Sequence, residues 1–460
     1  MNKHALLRTG IALVASAVVV AGVTTAGTTA SATPRPVTHR IHVQPQISKA
    51  VKGSAVHFGC QDRPIDGSAG PKCYQPAQIQ TAYGLTPLLN NGKTGAGRTI
   101  VIVDAFQSPY VKSDLSIFNS TFGLPNASFQ QIAPFGLTPF DPNDANMDGW
   151  AEEITLDVLW AHAMAPRAKI VLALARSNND ADILDTTKYV VDHNVGDVIS
   201  QSFGEAETCM DPTLLAEQHQ VFADATAKGI TLFASSGDSG AAQFNCAGTG
   251  AILAASTPAS DPFVTGVGGT TLNADGTTGA YIGETAWTEQ LFGCNPPAVK
   301  KQDINCSGGG FSTIYSRPDF QSSIGGSGGR GVPDIAYNAG VNGGVLTHCG
   351  ICNLLSGLDP LDPTTFFLFG GTSAGSPQWA GITAVGDQIA GRRLGDINAA
   401  LYTVAGSANY SSALHDVTVG DNFVQEIHTG YNTAPKWDAV TGLGTPNASG
   451  LLPQLISLTG

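Results

Sequence analysis

The chain has 460 residues, of which 36 are Asp or Glu and 23 are Lys or Arg, so its formal net charge is −13. Only 13% of the residues are charged and 42% are hydrophobic, a composition that excludes an intrinsically disordered chain. The acidic balance argues against a nucleic-acid partner, because such proteins carry a basic patch, and it leaves a globular protein as the expected class.

The N-terminal 32 residues have the pattern of a secretory signal peptide. Lys3 and Arg8 give a positive start, an apolar run extends from Ile11 to Val23, and small residues lead to an A-x-A site that ends at Ala32. An uncleaved membrane anchor is the alternative, but the run is shorter than the ~20 residues that a membrane-spanning helix needs. We expect residues 1–32 to be removed and the protein to be secreted to the extracellular space, with no membrane contact afterwards.

Two further regions follow the predicted signal peptide. Residues 33–70 are polar, contain several prolines and lack a clear periodicity. We interpret them as a short pro-segment or linker. Residues 71–460 contain no internal repeat, and we predict that they form one large domain.

Eight cysteines in an exported chain predict four disulfide bonds. The sequence alone allows many connectivities, and we predict that neighbours along the chain pair: Cys60–Cys73, Cys209–Cys246, Cys294–Cys306 and Cys349–Cys352. The CxxC spacing of the last pair also fits a redox or zinc site. Because the chain has no second CxxC, a structural bridge is the favoured interpretation.

Apolar runs alternate with helical patterns between residues 99 and 235. The β-branched runs predict buried parallel strands at residues 99–104, 168–175, 197–202 and 230–235. Helical patterns occur at residues 149–164, 180–193 and 211–228. This alternation predicts an α/β fold whose mainly parallel sheet is covered on both faces. The functional residues of such a sheet lie at the carboxyl ends of its strands.

Ser373 lies among small residues in the segment 369–381, ahead of an apolar helical pattern. This arrangement suits a nucleophile at a loop-to-helix junction, where the Oγ is exposed and the helix N-terminus favours developing negative charge. A glycine-rich turn with a helix cap is the simpler alternative, and composition alone does not exclude it.

A serine nucleophile needs a base, which is most often a histidine held by an aspartate. None of the ten histidines lies beside small residues as a catalytic histidine does, and His162 is predicted to pack within a helix. Glu153 and Asp157, four residues apart, would instead lie on one helix face about 5–6 Å from each other. Two carboxylates this close raise one pKa, so the pair can share a proton and act as a base at acid pH. An exposed acidic helix face is the alternative.

Asp238 is a third candidate carboxylate, in a Ser-Gly-Asp-Ser-Gly turn directly after an apolar strand. The strand end and the glycine turn place it at the carboxyl edge of the predicted sheet. Protonated at low pH, it can donate a hydrogen bond to an oxyanion. Asp and Gly are also common in ordinary turns, which is the competing interpretation.

Three motifs occur in order: Glu153-x-x-x-Asp157, Ser-Gly-Asp238-Ser-Gly and Gly-Thr-Ser373-x-x-x-Pro. Together they resemble the sedolisin (serine-carboxyl peptidase, kumamolisin-like) family, and the resemblance extends through most of residues 73–460. It implies a subtilisin-like three-layer α/β fold and a monomeric, acid-active endopeptidase whose substrates are proteins or peptides. It makes Ser373 the nucleophile and Glu153 its general base. Asp157 would orient Glu153, and Asp238 would form the oxyanion hole.

The resemblance also implies one structural Ca²⁺ near the C-terminus. The expected ligands are two carboxylates and three backbone carbonyls, from Asp416, Val417, Ala434, Lys436 and Asp438. This all-oxygen set suits a hard cation. The family usually has glycines where this chain has Ala434 and Lys436, so carbonyl ligation requires the backbone to curve without them. A surface acidic loop is the alternative.

Other functions and modes of control stay open from the sequence. Sedolisins usually carry a large folded propeptide, whereas only about forty residues separate Ala32 from Cys73 here, so we do not expect control by a long propeptide. One competing hypothesis is a non-catalytic binding or surface protein on the same fold. Another is a neutral subtilisin-like protease that uses His162.

Overall fold

The computed structural model describes residues 39–460, except for residues 44, 55–56, 64–71, 290–304 and 327. The predicted signal peptide, much of the predicted pro-segment and Cys294 therefore lie outside the described residues. The described residues belong to one compact unit.

The helices are α1 Pro76–Ala82, α2 Thr86–Asn90, α3 Val111–Phe122, α4 Ala145–Met164, α5 Asp180–Asp192, α6 Pro212–Ala227, α7 Gly350–Leu355, α8 Gly375–Ala390, α9 Asn398–Gly406, α10 Tyr410–Ala413 and α11 Ala448–Leu458. Short 3₁₀ turns occur at Asp319–Gln321, Thr372–Ala374 and Gln425–Ile427. Within the described ranges, no helix combines the length and the hydropathy that are needed to cross a bilayer.

The strands are β1 Gln46–Ile47, β2 Val51–Ser54, β3 His57–Phe58, β4 Cys73–Tyr74, β5 Thr99–Ala105, β6 Ser128–Ile132, β7 Lys169–Ala175, β8 Val198–Gln201, β9 Glu205–Ala206, β10 Thr231–Ser235, β11 Ala242–Phe244, β12 Ala251–Leu253, β13 Ser256–Thr257, β14 Thr265–Ala274, β15 Tyr281–Ala286, β16 Gly310–Phe311, β17 Gly331–Val332, β18 Ile335–Asn338, β19 Gly344–Thr347, β20 Thr365–Gly370, β21 Leu414–His415 and β22 Thr445–Pro446.

The central sheet has the strand order β15-β14-β10-β8-β5-β7-β6, and β18 also pairs with β14. Its pairings are parallel except for the antiparallel pair of β14 and β15. The four predicted β-branched runs form β5, β7, β8 and β10, and almost all their residues are buried. A strand covered on both faces needs apolar residues at every position, which explains the continuous runs. The prediction of a mainly parallel sheet is confirmed.

Side chains on the two faces of β5 enter different hydrophobic cores. Ile100 and Ile102 pack in the core that contains residues of α4 and α8. Val101 and Val103 pack in the core that contains residues of α5 and α6. Because alternate residues of a strand point to opposite faces, helices cover the sheet on both sides. The predicted α/β fold with three layers is confirmed.

Helices α4 and α8 approach each other closely at Gly381. A Cβ atom on Gly381 would lie 2.5 Å from the Cβ of Met164 and 3.1 Å from the carbonyl oxygen of Ala161. Any larger side chain would therefore force the two helices apart. The close approach fixes the start of α8 relative to the polar residues of α4.

A second sheet has the order β3-β2-β20-β19-β4, and β1 also pairs with β20. The pairs of β20 with β1 and β2 are antiparallel, with Gln46 opposite Gly370 and Val51 opposite Phe366. The described part of the predicted pro-segment therefore pairs with the strand that leads to Ser373. Removal of this segment stays a prediction.

Three of the predicted neighbour pairings are present as disulfide bonds: Cys60–Cys73, Cys209–Cys246 and Cys349–Cys352. The predicted pairing of the CxxC cysteines is therefore confirmed, and its purely structural role stays a prediction. Cys306 is also disulfide-bonded, and its predicted partner Cys294 lies outside the described residues.

Candidate active site

The candidate site lies at the edge of the central sheet where parallel strands end. Asp104 is the penultimate residue of β5, Ser202 follows β8 directly, and Asp238 lies three residues after β10. The carboxyl ends of parallel strands meet at one edge, which is where sheets of this class place their ligands. Glu153 in α4 and Ser373 ahead of α8 reach the same edge.

Ser373 lies in the 3₁₀ turn Thr372–Ala374 that leads into α8. The preceding Gly371 has a φ of +88°, and a Cβ there would lie 2.6 Å from Oδ2 of Asp238, so this turn requires glycine. Ser373 is 9% exposed, and its Oγ donates a hydrogen bond of 3.3 Å to the carbonyl oxygen of Ser202. The predicted loop-to-helix junction is confirmed.

Glu153 and Asp157 lie one turn apart on α4, and both side chains are fully buried. Their burial rules out an exposed acidic helix face. Burial raises the pKa of Glu153 well above its ordinary value, and the charge of Asp157 raises it further. A contact with the Ser373 hydroxyl, looser than normal hydrogen-bond geometry, offsets part of this rise in pKa.

A further carboxylate, Asp104, joins this pair and is not singled out by the sequence patterns. Burial, followed by the charge of Glu153, raises the pKa of Asp104 well above its ordinary value. The pKa of Asp157 is raised by burial and then by the charge of Asp104, while a contact with the Ser202 side chain, looser than normal hydrogen-bond geometry, lowers it. Three buried carboxyl groups this close cannot all ionise, so they share protons. The available sequence signal was a charged residue at the carboxyl end of a buried strand.

Asp238 is held by the residue that precedes the candidate nucleophile. Its Oδ1 accepts hydrogen bonds from the backbone N–H of Thr372 at 2.8 Å and from the Thr372 hydroxyl at 2.7 Å. Burial raises the pKa of Asp238 above its ordinary value, and the two bonds from Thr372 offset part of the rise. Because both donors engage Oδ1, the remaining oxygen, Oδ2, is the one that can carry a proton and donate it in a hydrogen bond.

A cavity of about 970 Å³ opens at this edge of the sheet. Glu153, Asp238 and Ser373 line it, and so do His39 and His42 from the N-terminal segment. The structure therefore brings three of the four predicted catalytic residues to one cavity. Their partner on α4, the fully buried Asp157, does not line the cavity and contacts the site through its neighbours.

His162 lies apart from the cavity. Its ring is buried, and Nε2 is 2.9 Å from the carbonyl oxygen of Pro125. Burial lowers the pKa of His162 to about 4. The residue is packed within α4, as the helical pattern predicts.

The five predicted calcium ligands lie in two loop segments that contact each other. The N–H of Lys436 donates to both carboxylate oxygens of Asp416, at 3.0 and 3.1 Å. The N–H of Ala434 donates to Oδ2 of Asp438 at 3.0 Å. Lys436 adopts a φ of +71°, a region that favours glycine, so the backbone curves even though glycine is absent there.

The donor set of these segments contains only oxygen. Asp416 is exposed and Asp438 is buried, and each supplies one carboxylate. In the part of the chain that the structure describes, no group of three or more acidic, His or Cys side chains is arranged to hold a metal ion. The fit of a hard cation therefore depends on two carboxylates together with backbone carbonyls.

Comparison with protein-family models matches residues 143–392 to the subtilase family. The chain belongs to the subtilase family. The matched range contains α4, β10 with its following turn, and the junction at Ser373.

Two relatives extend the similarity beyond this range. Kumamolisin from Bacillus sp. (strain MN-32) is 30% identical over 399 residues, which cover 85% of this chain and 65% of kumamolisin. Sedolisin from Pseudomonas sp. (strain 101) is 30% identical over 380 residues, which cover 81% of this chain and 60% of that protein. This subtilase therefore spans less than two thirds of the length of either relative.

A solved structure supports the same relationship. It is Pseudomonas sedolisin, a serine-carboxyl proteinase, in complex with two molecules of pseudo-iodotyrostatin. It matches with a TM-score of 0.71 and 28% identity, covering 85% of this chain and 99% of that one. The subtilisin-like fold and the resemblance to sedolisins that the motifs predict are confirmed.

Proposed function

We propose that this subtilase is a secreted serine-carboxyl endopeptidase that hydrolyses peptide bonds at acid pH. The observation that carries the proposal is one cavity lined by a helix-start serine, Ser373, by the buried Glu153 and by Asp238. The similarity to kumamolisin and sedolisin supports this assignment.

In the proposed acylation step, the Oγ of Ser373 attacks the carbonyl carbon of the scissile peptide bond. Glu153 accepts the hydroxyl proton, and the negative charge moves to the former carbonyl oxygen. Asp238 donates a hydrogen bond from Oδ2 to this oxyanion, since Thr372 engages the other oxygen. Glu153 then passes its proton to the leaving nitrogen as the C–N bond breaks.

In deacylation, water takes the place of the leaving amine. Glu153 removes a proton from the water molecule while the water oxygen attacks the acyl carbon. Glu153 then returns this proton to Ser373 Oγ as the ester bond breaks. Asp157 and Asp104 do not meet the substrate in this scheme. They act as positioning residues, because the protons they hold determine the charge on Glu153.

The same groups limit the proposed activity to acid pH. At the lowest pH all of the buried carboxyl groups are protonated, and Glu153 cannot accept the proton of Ser373. As pH rises, Asp238 loses the proton that it donates to the oxyanion. Its pKa is raised by burial, so the protonated form persists above the ordinary range of an aspartate.

We expect peptide cleavage to be maximal at an acid pH and to fall on both sides, because an ionised Glu153 and a protonated Asp238 must be available together. The test is the initial rate on acid-denatured haemoglobin, measured from pH 2 to pH 8. If the folded, calcium-supplied protein shows no cleavage at any pH, the proposal is wrong and a non-catalytic binding protein is favoured. An optimum above pH 7 that His162→Ala abolishes would identify the neutral mechanism instead.

We further propose that one Ca²⁺ joins the two C-terminal loop segments. Its ligands would be the carboxylates and carbonyls of the five predicted residues: Asp416, Val417, Ala434, Lys436 and Asp438. The ion would supply positive charge to the buried Asp438 and cross-link the loops, a structural role that takes no part in the chemistry.

We expect removal of calcium to lower the melting temperature at pH 7 by several degrees. Ca²⁺ at one hundred times its dissociation constant stabilises the folded state by about 2.7 kcal/mol. Thermal unfolding with EGTA, and then with excess Ca²⁺, measures this difference. Asp438→Asn should melt at the same temperature under both conditions, whereas Asp421→Asn, outside the ligand set, should keep the response. An unchanged melting temperature of the parent protein would contradict the site.

The site of action is proposed from the N-terminal sequence and the cysteines. Residues 1–32 would direct export, and disulfide bonds of the kind found here form in oxidising compartments. Residues 33–70 would then be a short pro-segment or linker. A monomer suffices for the reaction, because one chain supplies every residue of the proposed site.

A further inference from the structure

Residues 39–43 and 45–47, here called the N-terminal strap, run along the cavity and contribute to its lining. Near its start, the N–H of Ile41 donates to the carbonyl oxygen of Asn178 at 2.9 Å. At its end, Gln46 lies opposite Gly370 in β20. The strap is therefore an extended segment held by backbone hydrogen bonds, which is also how a bound peptide adds to the edge of a sheet.

The strap belongs to a basic segment of an acidic protein. Residues 1–61 contain six Lys or Arg and no Asp or Glu. The residues that follow therefore hold 17 Lys or Arg and all 36 acidic residues. The described part of this segment carries Arg40, Lys49 and Lys52 and no carboxylate, so charge complementarity favours its contact with a cavity that has carboxylates in its wall.

His39 connects the strap to the cavity wall through contacts of both its backbone and its ring. Its backbone oxygen accepts from the N–H of Asp180 at 3.3 Å, and its Nε2 is 2.8 Å from the carbonyl oxygen of Cys246. Its Nδ1 forms an ion pair with Glu205. A carbonyl and an ionised carboxylate can only accept hydrogen bonds, so the ring has an N–H for each of them when it is doubly protonated. In that form the strap presents a cation to Glu205.

Glu205 lines the cavity and yet is only 8% exposed. Asp180, at the start of α5, is 1% exposed and interacts with Glu205. Burial raises the pKa of both carboxyl groups, and the charge of Glu205 raises that of Asp180 further. His39 acts in the opposite direction and lowers the pKa of Asp180. A cation at this position therefore stabilises the ionised form of a pair whose charge is otherwise disfavoured.

We propose that Glu205, supported by Asp180, forms a subsite that accepts a cationic side chain of a bound peptide, and that His39 of the strap fills this subsite. The proposal rests on the proposed function in one respect, because it takes the cavity as the peptide cleft. The strap supplies the occupant: an extended backbone that delivers a cationic ring to a buried carboxylate. A peptide that displaces the strap would place a lysine or arginine side chain in the same position.

The test measures binding in the full-length Ser373→Ala variant, so that no peptide is consumed. Peptides would differ only by lysine or norleucine, moved one residue at a time along the sequence. We expect lysine at one position to bind about tenfold more tightly than norleucine, because a charge-assisted contact to a desolvated carboxylate is stronger than a neutral one. Glu205→Gln should bring this ratio close to one. Glu426→Gln, another carboxylate in the cavity wall, should keep the ratio.

The contribution of the strap is tested in the same background. His39→Ala should strengthen binding of the lysine peptide more than that of the norleucine peptide, since it vacates the subsite, whereas His42→Ala should change both equally. If Glu205→Gln fails to fold, Asp180→Asn tests the same ratio.

Equal affinity for lysine and norleucine at every position, or a ratio that survives Glu205→Gln, would overturn the subsite. The outcome for the proposed function is separate. Selective binding in Ser373→Ala without cleavage by the parent protein would contradict the proposed peptidase function and support the subsite. Cleavage by the parent protein without a lysine preference in binding would support the peptidase function and contradict the subsite.

Discussion

Replacing Ser373 by alanine is expected to lower kcat/KM for a peptide substrate by about four to six orders of magnitude. The Oγ forms the covalent bond to the acyl group, and alanine leaves Glu153 with no proton to accept. Binding and the hydrogen bond from Asp238 persist, so a residual rate above that of uncatalysed hydrolysis is expected. Initial rates at the acid pH optimum of the parent protein measure the loss.

Ser376→Ala is the matched control for this substitution. Ser376 is fully buried one residue into α8 and shares a hydrogen bond of 2.8 Å with Ser200. Its removal should cost about 1 kcal/mol of stability and leave catalysis within a few fold of the parent. Equal losses of activity in both variants would show that disturbance of α8, and not loss of a nucleophile, explains the effect. Full activity in Ser373→Ala would disprove the mechanism.

The middle of the central sheet could be predicted because strands buried on both faces have continuous apolar sequences. β5, β7, β8 and β10 are continuous apolar runs, and each is short enough to be a strand. β14 gave no such signal, although it has 10 residues, because its sequence contains three glycines. A Cβ on one of them, Gly268, would lie 2.6 Å from Cγ of Pro333. Glycine is required there by a contact with a residue distant in sequence, and a local sequence pattern does not reveal such a contact.

The candidate site was partly predictable for a related reason. The spacing of Glu153 and Asp157 is a local property of a helix, and the turn around Ser373 is a local property of small residues. The place of Asp104 is a tertiary property, since it depends on how α4 lies over the end of β5. The place of the strap is a tertiary property too, because its sequence lacks a periodic pattern and its backbone is held by contacts with Asn178 and with β20.

The buried carboxyl groups of this charge-poor protein make its folding stability depend on pH. Glu153, Asp157 and Asp104 are fully buried, and burial is the first cause of the raised pKa of each. Such groups bind protons more tightly in the folded state than in the unfolded state. The stability they allow is therefore fully present below the unfolded pKa of about 4 and is lost as pH rises through the raised folded values. A protein built in this way is expected to be more stable in acid than at neutral pH.

Glu153→Gln is expected to separate the effect of Glu153 ionisation on folding stability from its role in catalysis. Glutamine cannot accept the proton of Ser373, so kcat/KM should fall by about two to four orders of magnitude at the optimum. Glutamine also has no charge to ionise, so the variant avoids the loss of stability that the parent suffers as pH rises. One pKa unit corresponds to about 1.4 kcal/mol, so the gain should be visible as a higher melting temperature at pH 7 and should shrink toward pH 4.

Glu152→Gln provides the comparison, because Glu152 is adjacent on α4 and does not line the cavity. Burial raises the pKa of Glu152 to about 7, so its replacement should also raise stability at neutral pH, while activity should stay near that of the parent. Thermal unfolding from pH 3 to pH 8, with rates from the same preparations, tests both effects. A Glu153→Gln variant that is inactive but no more stable at pH 7 would show that Glu153 ionises without cost. Retained activity would show that Glu153 is not the base, because glutamine at this position cannot accept the proton of Ser373.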